Sequence, residues 1–215
     1  MRVSFTFFLT ILALSYLEGC YPKGPEQYTD FDLVYTNYAS DSSFQDRKTF
    51  ALPDSIVKIT GDVLTNPDSR PEMMSDVYAT PILNQLKQNM MSYGWTEVDR
   101  NASPDVILLV SSTTTTNLYY YYDWGYWGWY YPGYYPGWGW YYPGYYPPYV
   151  TSFQTGSLFV QMVDVLPSPI PNDGNVPVLW HCILNGLTEG STSAVLSRVQ
   201  ASINQAFIQS PYLKH

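Results

Sequence analysis

The sequence predicts an α+β domain: one mainly antiparallel sheet of about five strands, two helices on one face of it, and a long aromatic hairpin loop. Three observations carry this expectation. Strand-forming runs come grouped, in the order β-β-α-β-β-β-α, and do not alternate with helices as a parallel βαβ array would. Only two stretches, near 80–93 and 192–209, repeat apolar residues at helical spacing. Between two strand-like runs lies a segment, residues 119–149, made almost wholly of Tyr, Trp, Gly and Pro.

The elements follow in order. Phe31 to Ala39 and Arg47 to Leu52 are rich in strand formers, and Pro53 stops the second; they lie close enough to form a hairpin. Residues 54–77 contain Gly61, Pro67 and Pro71 without a sustained period, so they read as a long loop with a short strand at Ile56 to Ile59. Thr80-Pro81 looks like an N-cap followed by proline at the first helical position, where a missing N–H costs nothing. Ile82, Leu83, Leu86 and Met90 share one helical face, and Gly94 supplies the stop. Asp105 to Asn117 reads as a long strand, buried at its start; Leu158 to Leu166 and Val178 to Leu187 are the next two, the last apolar on both faces and so central. Val195, Val199, Ile203 and Phe207 form the stripe of the closing helix, ended by Pro211. Val106, Leu108, Val110, Phe159, Met162, Trp180, Cys182, Leu86, Val199 and Phe207 are expected to be buried where strands meet helices.

The first twenty residues read as an address. Met1-Arg2 is followed by an apolar run from Val3 to Leu14, too short for a span of roughly 20 residues but suited to a secretory signal. The run leads to Leu17-Glu18-Gly19-Cys20, which resembles the bacterial lipobox. A thiol must take the diacylglycerol, and a small residue before it must fit the peptidase; Glu18 departs from the usual small or neutral residue. The expected organisation is therefore a signal peptide at 1–19, a lipidated Cys20 and tether at 20–29, and one α+β domain at 30–215. Three acyl chains give a stable anchor. Position 21 is Tyr, not Asp, and no acidic cluster follows. These features direct the chain to the outer membrane, its periplasmic face favoured over the cell surface.

The net charge is −8, and charged residues make up 13% of the chain, against roughly 25% in an ordinary soluble domain. An acidic chain this poor in Lys and Arg cannot neutralise phosphates, which argues against nucleic acid as a partner. Aromatic residues make up 18%, which excludes a wholly disordered chain. Half of the 38 aromatics lie in 119–149, where Tyr-Tyr-Pro-Gly occurs three times. Pro-Gly suits the centre of a type II turn. Tyr130, Tyr131, Tyr134, Tyr135, Trp138, Trp140, Tyr141 and Tyr142 are the candidate interaction residues. Four readings of the segment stay open: a loop without a ligand, contact with an envelope protein or with itself, burial at a lipid headgroup boundary, and stacking on envelope glycan. The segment is expected to be dispensable for folding, because its prolines cannot donate to a ladder.

Chemistry is sparse. His181 and Cys182 are neighbours in a strand and point to opposite faces, so they form no direct pair. Two histidines this far apart suggest no metal site. Glu97, Asp99, Asp105 and Asp164 are scattered at strand edges. No catalytic residue and no cofactor is expected, which points away from an enzyme. The sequence reads as a lipid-anchored envelope protein with a non-catalytic binding or structural module; the alternative is a cryptic hydrolase acting on envelope glycan or lipid.

Asp32 to Tyr38, Lys48 to Asp54, Tyr93-Gly94-Trp95, Ser103-Pro104-Asp105-Val106, Gly156-Ser157-Leu158 with Asp164, Val178-Leu179-Trp180, and the final helix reaching Phe207 and Ser210-Pro211 follow one another along the chain. Taken in this order, they resemble the bacterial envelope lipoproteins grouped as domain of unknown function 4136. The aromatic insert is similar to what Bacteroidetes members carry. The resemblance implies location and fold and transfers no catalytic residue.

Overall fold

The computed structural model describes residues 33–40, 44–60, 70–113, 127, 129–130, 139–141, 156–165, 175–185 and 190–215. Cys20 and its tether lie outside the described residues. So do Tyr131, Tyr134, Tyr135, Trp138, Tyr142 and the end of the strand expected to run to Asn117.

The fold is α+β, with a mixed sheet that does not close. Its strands are β1 (Leu33–Tyr38), β2 (Thr49–Ala51), β3 (Val57–Ile59), β4 (Thr96–Glu97), β5 (Val106–Thr113), β6 (Gly139–Tyr141), β7 (Leu158–Asp164) and β8 (Asn175–Asn185); the helices are α1 (Asp76–Ser92) and α2 (Thr192–Ile208). The sheet order is β1-β8-β7-β5-β2-β4, with β3 also on β5 and β6 on the start of β8. The β1–β8, β8–β7 and β7–β5 pairs are antiparallel. The β5–β2, β2–β4, β3–β5 and β6–β8 pairs are parallel. The mainly antiparallel sheet of about five strands is corrected accordingly.

The expected hairpin between the first two strands does not form. β1 pairs instead with the last strand, from Leu33 opposite Asn185 to Tyr38 opposite Trp180. A short 3₁₀ turn, Phe44–Asp46, then carries the chain towards the other side of the sheet, with Phe44 buried near the rings of Tyr38 and Tyr212. The reason is burial: β5 and β7 are buried at every position, and β8 at nearly every position given. Such strands belong in the middle, and the partly exposed β1 and the short β2 flank them. β2 and β3 lie in succession along the same edge of β5, Phe50 opposite Val106 and Val57 opposite Ser111, with Pro53 between them.

α1 begins at Asp76 and takes Pro81 into its interior, where the sequence places the start at Thr80. Tertiary burial overrides the proline signal. Ala79 is fully buried, and the Tyr78 hydroxyl lies 3.1 Å from that of Thr192 on α2. Before the helix, Met74 N–H donates to Ile56 O. The C-terminal stop is as expected: Gly94 has φ +94°, and a Cβ there would sit 2.9 Å from the His215 Cβ. Only glycine suits both the backbone and this close approach.

The sheet separates two cores. Val106, Leu108 and Val110 of β5, Leu158, Val160 and Met162 of β7, and Trp180, Cys182 and Leu184 of β8 face α1 and α2. A bulge between the Met162 and Val163 pairings lets Leu179 join Trp180 on that side. All ten residues expected to be buried are buried. Nine pack where strands meet helices; Phe159 is the exception. It points to the opposite face, with Ile107, Leu109, Val163 and Ile183. That second face is covered by Trp127, Tyr130 and Trp140 from the aromatic segment. The segment also contributes a strand, since β6 pairs with residues 175–177 of β8. Part of it is thus a second core layer, which corrects the reading of the whole segment as a hairpin tip.

Candidate functional site

The motif residues that give the sequence its family resemblance turn out to be joints. Asp105 Oδ2 accepts from the Lys48 and Thr49 N–H groups at 2.8 Å each and from the Thr49 hydroxyl at 2.7 Å, while Asp105 N–H donates to Thr49 Oγ1. This fastens β2 to the start of β5. Burial works to raise the Asp105 pKa, but these hydrogen bonds and the nearby Arg47 charge outweigh it and hold the carboxyl below its ordinary value. Arg47 grips Asp164 at the end of β7, Nη2 to Oδ2 at 2.7 Å and Nε to Oδ1 at 3.3 Å. Trp95 Nε1–H donates to Leu213 O, and Trp180 Nε1–H to Ser210 Oγ.

His181 and Cys182 lie on opposite faces, as strand alternation requires. Cys182 is sealed in the helix-side core, and burial pushes its thiol pKa up. Both disfavour the thiolate at neutral pH. His181 sits on the other face, between Asn37 of β1 and Gln161 of β7 in register, its ring 5.6 Å from that of Tyr35. Burial lowers its pKa from 6.5 to about 4. The neutral ring therefore costs nothing above the ordinary value. As pH falls from 6.5 towards 4, the unfolded chain takes up a proton that the folded chain resists, so stability declines across that window and levels off below it. The loss approaches about 3 kcal/mol. Urea unfolding at about pH 7 and about pH 5 should show this component in the parent and not in His181→Gln. An equal pH dependence in both would assign the protonation elsewhere.

Among the described residues, no group of three or more His, Cys, Asp or Glu side chains could hold a metal ion. No described helix is long and apolar enough to cross a membrane.

The candidate site is a cleft of about 790 Å³ at the β2/β4 edge of the sheet. Four parts of the chain meet there. Leu52, Asp54 and Ser55 follow β2; Arg70, Pro71 and Met73 precede α1; Glu97 to Arg100 follow α1; Trp129 and Tyr130 come from the aromatic segment. Arg100 is the hinge pin. Its Nη1 donates to Trp129 O at 3.3 Å and Tyr130 O at 3.2 Å, and its guanidinium lies 5.2 Å from the Tyr130 ring centroid. The aromatic segment is thereby held against the 3₁₀ turn Arg100–Ala102, whose N-terminus Asp99 caps through Oδ1. Burial pushes the Tyr130 pKa up to about 12; Arg100 opposes this, and the charges of Asp99, Asp54 and Glu97 add to it. The hydroxyl is therefore a neutral donor at physiological pH.

Of the candidate interaction residues, Tyr130 and Trp140 are buried against the sheet, and Tyr141 lies in β6 opposite Pro177. Trp129 of the same segment, half-buried, lines the cleft. Asp99 read only as one of several scattered acidic residues and Asp54 only as the end of a motif, while Arg70 and Arg100 carried no sequence signal; the fold gathers the four. Glu97 is ion-paired with Lys87, Asp99 caps the turn, and Asp54 Oδ1 accepts from the Ser55 hydroxyl. The described lining sets charged side chains beside aromatic rings.

Residues 34–212 match the family described as Domain of unknown function (DUF4136). Among solved structures the chain resembles the crystal structure of a DUF4136 family protein from Bacteroides thetaiotaomicron VPI-5482 at 1.60 Å resolution. The TM-score is 0.66 and the identity 33%, over 85% of this chain and 97% of that one. A dodecamer of a PelC point variant from Paraburkholderia phytofirmans matches with a TM-score of 0.35 and 13% identity over 86% and 98%, a likeness too slight to argue from. No curated protein gives a significant match. A pattern that runs from β1 to the last turn, together with a solved member sharing 33% of the aligned residues, establishes that the chain belongs to the DUF4136 family.

Proposed function

We propose that this is a lipid-anchored protein of the cell envelope, held through Cys20 on the periplasmic face of the outer membrane, and that its domain is a non-catalytic binding or structural module. The observation that carries the anchor is Leu17-Glu18-Gly19-Cys20 after a short apolar run. Residues 20–32 separate the thiol from β1 and can span at most about 45 Å, which keeps the domain near the membrane surface. The module reading is supported by the cleft, whose lining mixes charged, aromatic and apolar side chains, with Asp99 capping a turn and Glu97 in an ion pair.

Cys20→Ala should abolish incorporation of a fatty-acid label and move the protein from the membrane pellet to the soluble fraction. Unchanged membrane association of the variant would sink the anchor reading. Loss of label with retention on envelope material would instead point to the domain itself as the attachment.

A further inference from the structure

We propose that the cleft is a binding site for an uncharged pyranose chain, with sugar faces laid against Trp129 and hydroxyls held by Asp54, Asp99 and Arg70. A pyranose presents apolar C–H faces and a rim of hydroxyls that both donate and accept. Its recognition needs a flat ring beside convergent charged hydrogen-bonding groups. The aromatic segment alone offers rings and a single charge, Asp123. The fold supplies what it lacks by bringing the segment to the β2/β4 edge.

The parts are suited to this. Trp129 is half-buried and its ring lies 5.4 Å from that of Tyr130, tilted at 59°, so the two form one aromatic wall. Arg100, itself in the lining, fixes that wall through two backbone carbonyls. Asp54 and Asp99 are exposed acceptors, and the cap uses only Oδ1 of Asp99. Arg70 is an exposed donor that makes no ion pair with a described residue. The volume of about 790 Å³ falls within the range of roughly 300–1,000 Å³ typical of small-molecule sites. Charge narrows the class. Arg70 and Arg100 stand beside Asp54 and Asp99 in the lining, while Glu97 is paired with Lys87, so the site carries no excess cation, and the whole chain carries −8. That overall negative charge disfavours chains bearing phosphate or uronate and leaves neutral hexoses or N-acetylated amino sugars as the favoured class.

This inference deepens the binding-module reading and depends on the envelope reading only for where the sugar is met. The test uses the full-length chain in detergent, so it is independent of lipidation and fractionation. Titration calorimetry and tryptophan emission would follow three tetramers: β-1,4-linked N-acetylglucosamine, glucose, and galacturonic acid. The first two distinguish an N-acetylated wall-type chain from a plain hexose chain, and saturation by either supports the site. Trp129→Ala should weaken binding about tenfold or more. Asp54→Asn, at an exposed position, should weaken it several-fold without changing the unfolding midpoint, which keeps the test valid should the Trp variant misfold. No saturation by any tetramer up to about 10 mM, equal binding by both variants, or preference for galacturonate would each overturn the proposal.

Discussion

Trp180→Ala should lower the stability of the domain by about 3–5 kcal/mol. Trp180 is the largest fully buried side chain among the described residues and lies on β8, between β1 and β7 in register with Tyr38 and Met162. Its ring meets Phe207 of α2 at 5.8 Å, and its Nε1–H donates to Ser210 Oγ at 2.9 Å. Truncation opens a cavity at the meeting point of the sheet, α2 and the closing turn. The bulge at Leu179 fixes the backbone there, so collapse into the gap is restricted. For a chain of this size each kcal/mol shifts Tm by roughly 2–4 °C, so a fall of about 10 °C is expected. Trp180→Phe keeps most of the apolar volume and gives up the hydrogen bond, so it should recover more than half of the loss. An alanine variant within about 1 kcal/mol of the parent would mean that the core relaxes freely around this position.

How much of this was legible follows from the kind of signal each residue sends. Burial was legible at all ten core positions, in the strands because apolar runs leave no alternative and in the helices because Leu86, Val199 and Phe207 recur at helical spacing. Which face a residue takes was legible only by parity. Leu158, Val160 and Met162 alternate with Phe159 and Val163, so parity already separates Phe159 from Met162; grouping them assumed a single core, and nothing in the sequence says that the second face is also covered. Pairing was least legible. β1 and β2 look like hairpin partners because they are neighbours, yet pairing is decided by which strands are apolar on both sides. Pro81 shows the same rule for a helix, since burial of Ala79 outweighs a local breaker. The family motifs were legible as motifs but not as roles, and the fold shows Thr49 with Asp105 and Arg47 with Asp164 to be fasteners. The cleft was invisible because Asp54, Arg70, Asp99 and Trp129 are far apart in sequence and lie in no periodic pattern.

Replacing Tyr119–Tyr149 with a short turn should destabilise the domain by several kcal/mol, the reverse of what its composition suggests. The composition argument treats the segment as a tip whose length alone matters, and closing a shorter loop changes the entropy only logarithmically. The fold changes the balance. Trp127, Tyr130 and Trp140 are 2%, 8% and 9% exposed and pack with Ile107, Leu109, Phe159, Val163 and Ile183. Burying one large apolar side chain contributes about 1.5–3 kcal/mol, so removing three outweighs any gain from a shorter loop. Deletion would also uncover the sheet face opposite the helices and break the β6 pairing with residues 175–177. A contiguous apolar sheet face in water promotes association, so the deletion variant should aggregate more than the parent. Two narrower variants separate packing from length. Trp127→Ala should itself cost about 3 kcal/mol, because its ring is nearly inaccessible. Arg100→Gln should loosen the segment by removing both carbonyl contacts and the cation over the Tyr130 ring, and it should raise protease cleavage within 119–149 with little change in global stability. A deletion variant that melts at or above the temperature of the parent, and associates no more than the parent does, would show that the second face is stable without its aromatic cover.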